Sequence, residues 1–223
     1  MNGSGADRLP LWSEMPMFPL GGVLLPGMAL PLRIFEPRYQ VLLDTVLAHD
    51  EPQFGSVMIE RGSEVGGGEV RTDVGCLARI EHIRRKRDGS ATLLAVGTRR
   101  IRVLDWLPDD PFPRAQVIDA PDVPSGRPLT VRAAMKQLRS LEALTQETVD
   151  LARELGADGI FRHDLLDDEP TLRCYQLATA APLGALDRLN ILRAPDLATR
   201  VDLLGSLLDD QRLILRAELG RPL

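Results

Sequence analysis

From Met15 to Leu32 the chain reads MPMFPLGGVLLPGMALPL, an uncharged run long enough for a membrane-spanning helix by length alone. Its prolines rule that helix out. Pro16, Pro19, Pro26 and Pro31, together with Gly21, Gly22 and Gly27, interrupt the run every few residues, and each interior proline costs a helix about 3 kcal/mol. The pattern predicts short buried extended pieces instead, FPL, GVLLP and ALPLRI, with Leu20, Val23, Leu24 and Leu25 as core. A helix then starts at Glu36-Pro37, where a proline in the first turn gives up an N–H that has no partner anyway. Tyr39, Leu42, Leu43, Val46 and Leu47 fall at helical spacing and form one apolar stripe. From Gln53 the period drops to two, and QFGSVMIE, DVGCLARIEH, ATLLAVG, RRIRVLDWL and RAQVID read as strands. Asp88-Gly89 between two of them marks a hairpin.

Proline, glycine and serine concentrate in APDVPSGRP, residues 120–128, and the pattern changes to helical beyond it. Val131, Ala134, Leu138, Leu141, Thr145, Thr148, Ala152 and Leu155 make a long stripe that ends at Gly156. Shorter helices follow from Thr171 and Pro182, and a final long one runs from Pro195 to about Leu219; Pro170, Pro182 and Pro195 each mark a helix start. Strands first and helices second predict an α+β chain with a leader over 1–13, a β-rich subdomain over 14–122 and a helical subdomain over 129–219.

Charge and composition narrow the chemistry. A formal net charge of −5 argues against general polyanion binding. Two isolated cysteines, Cys76 and Cys174, suit a reducing compartment, and the polar start MNGSGADRLPLWSE lacks the basic flank and continuous apolar helix of a secretion signal, so the cytoplasm is expected. Lys86 and Lys136 are the only lysines. Neither sits in a phosphate loop or beside a serine motif, and no nucleophile elbow occurs, so the chain is not expected to be an enzyme. His49, His82 and His163 stand apart from one another and from the cysteines, and neither metal nor cofactor is expected. Asp167 and Asp168 read as helix-capping and solvated charge.

Binding is the remaining class. In IFEPRY, Arg38 falls in the first turn of a helix, where the macrodipole disfavours a cation. An ion pair with Glu36 or stacking on Tyr39 accounts for it structurally; alternatively Phe35, Glu36, Arg38 and Tyr39 rim a groove for an extended peptide. The arginines of RRKR, Arg84–Arg87, with Arg99, Arg100 and Arg102 offer a competing reading as one basic face for RNA. Trp12 falls in the leader, and Trp106 is expected to pack against the linker.

With these residues assembled, FPLGGVLLPGMALPLRIFEPRY, the glycine before CLARI, the DGS turn and AVGTRRIRV together resemble the substrate-binding (N-terminal) domain of the Lon protease family. PLGALDRLNILRAPDLATRVDLLGSLLDDQ resembles the helical portion of free-standing bacterial members, so the likeness extends from about Met15 to Leu219. It implies a PUA-like β pseudobarrel followed by a helical bundle. It also implies capture of unfolded or extended polypeptide for a protease or other protein machinery, without ATPase or protease modules; nucleic acid is not expected as a partner on grounds of charge, nor a membrane on grounds of the proline-broken run.

Overall fold

The computed structural model describes residues 11–61, 70–124, 126 and 129–221. The glycine-rich GSEVGGGE and the first ten residues of the expected leader lie outside the described residues. The chain divides into two units, Met1–Pro121 and Asp122–Leu223, with the boundary inside the proline-rich stretch.

The first unit holds β1 (Leu11–Leu20), β2 (Ala29–Ile34), α1 (Pro37–Leu47), β3 (Gln53–Arg61), β4 (Val70–Arg85), β5 (Ala91–Leu107) and β6 (Arg114–Asp119). Sheet order among the described strands is β2-β5-β4-β3-β1-β6, and β5 also pairs with β6. That last pairing closes β5, β4, β3, β1 and β6 into a ring and leaves β2 as an appended strand. All pairings are antiparallel except β1 with β3.

Side-chain alternation sorts the apolar residues into two clusters. Met15, Met17, Val57, Leu77, Ile101, Val103, Ala115 and Val117 come from all five ring strands and fill its interior. Phe18, Leu20, Ile34, Phe54, Cys76, Ala78, Ile80 and Leu93 pack with the α1 stripe of Tyr39, Leu42, Leu43 and Val46.

Three features of the first unit differ from expectation. β1 starts at Leu11, so the last three residues of the expected leader are strand; Leu11 pairs with Ile118 and Trp12 with Val117. Backbone pairing with β6, rather than local side-chain pattern, recruits them. In GVLLP, Val23, Leu24 and Leu25 are buried as expected but form no ladder. They lead into a tight turn in which the Met28 N–H donates to the Leu25 carbonyl at 3.0 Å, with Pro26 and Gly27 (φ 80°) at its centre, the positions this turn type reserves for proline and glycine. ATLLAVG and RRIRVLDWL are one strand, β5, which continues past Thr98 by bulging: Gly97 pairs with Ala78 and Arg99 with Leu77, leaving Thr98 extra.

Two glycines let these backbones meet. A Cβ on Gly97 would stand 2.3 Å from the Leu25 carbonyl oxygen, and one on Gly75 would stand 2.2 Å from that of Ser56. The Asp88-Gly89 hairpin forms as expected, with Gly89 at φ 82° and the Asp88 carboxylate accepting from the Ser90 N–H.

The second unit contains α2 (Val131–Glu154), a short 3-10 turn (His163–Leu165), α3 (Pro170–Ala180), α4 (Ala185–Arg193) and α5 (Leu197–Glu218). Ala134, Leu138, Thr145, Thr148 and Ala152 are buried on α2 as the stripe requires, while Val131 and Leu155 at its ends are exposed. Pro170 is the first residue of α3, whereas Pro182 and Pro195 precede the caps Gly184 and Asp196. The α3 cap is Glu169, whose carboxylate accepts from the Thr171 and Leu172 N–H groups. Asp167 and Asp168 therefore do not cap the helix directly; Asp167 accepts from the Glu169 N–H and Asp168 lies 3.6 Å from Arg173.

At the core of this unit Arg200 is fully buried. It donates twice to Asp122, at 2.7 and 3.2 Å, and its guanidinium lies 4.4 Å from the Tyr175 ring centroid. Burial is the largest single effect and would lower its pKa, but Asp122, Tyr175 and Cys174 together outweigh it and the net shift is upward. Val123 N–H donates to the Pro195 carbonyl beside it, so the first residues of the unit are held against the start of α5.

Two substitutions test this account by chemical denaturation. Gly97→Ala should destabilise by about 1–3 kcal/mol, because the new methyl meets backbone rather than a movable side chain, while Gly22→Ala in open space stays within about 0.5 kcal/mol. Asp122→Ala leaves a buried guanidinium without its carboxylate and should cost about 3–5 kcal/mol.

Candidate functional site

The free edge of the sheet is β2. Gly27 N–H donates to the Gly97 carbonyl and Gly97 N–H to that of Met28, which sets the alternation along the strand. Met28, Leu30, Leu32 and Ile34 direct their backbone groups toward β5, so Ala29, Pro31 and Arg33 direct theirs to the other side. Among the described residues no strand pairs there. Leu30 and Leu32 pack against the α1 cluster, and Ala29, Pro31 and Arg33 are exposed. The edge thus presents two N–H donors, at Ala29 and Arg33, with a proline between them that has none to offer. A proline on an outward position does not disturb the ladder to β5, which is why ALPLRI tolerates it.

The IFEPRY segment leaves this edge directly. Phe35 follows β2 and is 57% exposed, its carbonyl accepting from the Gln40 side-chain amide at 3.1 Å. Glu36 is the N-cap residue of α1, but its carboxylate does not cap the helix; it accepts from Arg38 Nε at 3.0 Å. The Arg38 guanidinium lies 4.6 Å from the Tyr39 ring centroid. Tyr39 is 4% exposed and stacks on Phe18 with centroids 4.1 Å apart. The first-turn cation is therefore compensated inside the motif, by ion pair and ring together. Of the four residues expected to rim a groove, Phe35 faces solvent, Glu36 and Arg38 form a paired collar, and Tyr39 belongs to the core.

The basic residues do not form one face. Arg84 pairs with Thr92 near the hairpin end of the β4–β5 ladder, whereas Arg99, Arg100 and Arg102 pair with Leu77, Cys76 and Val74. At about 3.4 Å per residue the two groups are on the order of 20–30 Å apart along β4. Arg99 donates to Asp119 at 2.7 Å, Arg100 to the carbonyls of Ala120 and Pro121, and Arg85 pairs with Asp44. Trp106 packs on the ring-interior cluster with the Arg71 guanidinium 4.3 Å from its ring centroid.

Both cysteines are free and buried, and desolvation pushes each thiol up to about 12, which makes them packing residues rather than nucleophiles. Among the described residues no cluster of three His, Cys, Asp or Glu is placed to hold a metal, and no helix is long and apolar enough to cross a membrane. Sequence reasoning found IFEPRY but not the bare edge beside it. The signal was Pro31 within an alternating strand.

Comparison with known proteins converges on one family. Residues 14–210 match the family model of the ATP-dependent protease La (LON) substrate-binding domain. Lon protease 2 of Herpetosiphon aurantiacus is 28% identical over 209 residues, covering 92% of this chain and 25% of that protease. Lon protease of Heliobacterium modesticaldum is 24% identical over 92% of the chain, again with 25% of the protease covered. The chain thus spans about a quarter of the length of these relatives. The crystal structure of a Lon N-terminal domain protein from Xanthomonas campestris superposes with a TM-score of 0.59 at 27% identity, over 87% of this chain and 98% of the other.

Because Arg38 is held within its own motif and its pairing is partly solvated, Arg38→Ala should lower stability by no more than about 1 kcal/mol. Phe35→Ser should leave the denaturation midpoint unchanged within error.

Proposed function

The chain belongs to the family of ATP-dependent protease La (LON) substrate-binding domains, and from that premise we propose that it is a cytoplasmic, non-catalytic binder of extended polypeptide. The reading assigns the binding to the outward edge of β2 and to Phe35 at its end. One observation carries it: a sheet edge with bare main-chain groups at Ala29 and Arg33 runs into an exposed aromatic side chain. An incoming segment adds as a further strand, its backbone bonding across Ala29 and Arg33 while an apolar residue covers Phe35. Glu36 and Arg38 position this end of the site by fixing the start of α1. Pro31 breaks the row of donors, so the edge accepts a short segment without templating open-ended sheet growth.

The competing RNA reading lacks support, since its arginines are split along the ladder and several serve the chain's own carboxylates and carbonyls. The catalytic activity of the full-length relatives is not carried over to a chain that spans a quarter of them.

The test uses a permanently unfolded protein, reduced and carboxymethylated lactalbumin, labelled for anisotropy. Arg33→Pro removes an outward donor and Phe35→Ser removes the aromatic end. Each is expected to weaken binding about tenfold or more with the fold retained by circular dichroism. Pro31→Ala, which restores a donor, should strengthen it. Unchanged affinity in both weakening variants refutes the site.

A further inference from the structure

Apart from Arg153 in its last turn, the long helix α2 carries its charges the wrong way round. Its first ten residues, VRAAMKQLRS, contain Arg132, Lys136 and Arg139 and no acid, whereas Glu142, Glu147, Asp150 and Glu154 follow in the C-terminal part. The macrodipole favours the opposite arrangement. Arg132 and Lys136 are four residues apart and Lys136 and Arg139 three, so the cations also repel one another along a single exposed row, away from the buried Ala134 and Leu138.

The acidic half is compensated within the unit. Glu147 pairs with Arg216 and Arg212, Glu154 with Arg221, and Glu142 with Arg173. The basic half is not. Among the described residues Arg132, Lys136 and Arg139 make no ion pair, and the acid three residues beyond Arg139 is already engaged by α3. Around them lies an open recess of about 800 Å³ bounded by Thr130, Arg132, Ala133, Met135, Lys136 and Arg139.

We propose that this basic row on the first half of α2 is a docking surface for an acidic polypeptide segment, a second binding site independent of the β2 edge. Charge complementarity names the occupant's sign. Its class follows from the lining, which has the half-buried thioether of Met135 and the methyl of Ala133 but no aromatic ring on which a nucleic-acid base would stack. The row covers about 10 Å of helix, which suits a few consecutive acidic side chains rather than a long duplex. Bound carboxylates relieve the repulsion that the free helix bears, so the site is stabilised by what it binds.

The chain's only two lysines make the test internally controlled. Fluorescein-labelled octa-glutamate is titrated at low salt against the full chain, Lys136→Glu and Lys86→Glu, the last imposing the same change in net charge on the β4–β5 hairpin. Lys136→Glu should weaken binding about tenfold or more, and Lys86→Glu by less than about twofold. The melting temperature of Lys136→Glu should hold or rise, because a like-charge row has been broken. Absence of peptide binding, an equal loss in both variants, or a fall in melting temperature for Lys136→Glu overturns the proposal. Tighter binding of a twelve-residue oligothymidylate than of the peptide overturns it in favour of a nucleic-acid site.

Discussion

Closure of the sheet depends on how near separate backbone segments come to each other at two points without side chains. β5 must pair with β2 and β4 over its first half, then turn and pair with β6 over its second. The turn happens at Thr98, immediately after Gly97, and the Leu25 carbonyl occupies the space that any side chain at 97 would need. Gly75 performs the same service between β4 and β3. A side chain at 97 would push β5 away from the Leu25 segment, and one at 75 would push β4 away from β3. The interior cluster around Met17, Leu77 and Ile101, and the α1 layer outside it, follow from that spacing.

Much of this was legible from residue pattern because the governing rules are local. Proline spacing excluded a helix over Met15–Leu32, Pro37 marked the start of α1 at the residue observed, and Asp88-Gly89 formed its turn. The misreadings share another cause. Leu11 and Trp12 are strand because β6 pairs with them, and β5 passes through Gly97-Thr98 because β4 accommodates a bulge there. Val23–Leu25 are buried without a ladder because they approach a tight turn. No window of neighbouring residues contains those partners. The Glu169 cap shows the same limit on a smaller scale, where the acid nearest the helix took the role expected of Asp167 and Asp168.

The candidate site was half visible for a related reason. IFEPRY announces itself by placing a cation in a first helical turn, but the structure resolves that conflict within three residues, through Glu36 and Tyr39. The α2 row presents a conflict of the same kind, and there no described carboxylate resolves it. A violated local preference is therefore informative only once its surroundings are known. Arg38 and Arg132, each the second residue of its helix, look alike on paper and differ in what lies beside them.

The pairing of β1 with β6 joins the earliest described strand of the first unit to its latest, with Leu11 opposite Ile118. A ring built this way has no complete intermediate: during synthesis, at about 5–20 residues per second, its opening strand waits on the order of 5–20 s for the last one to emerge. Through that interval Met15 and Met17 lack the part of their cover that Ala115 and Val117 of β6 supply. A chain of a substrate-binding family thus has a nascent form that is itself a candidate for being bound.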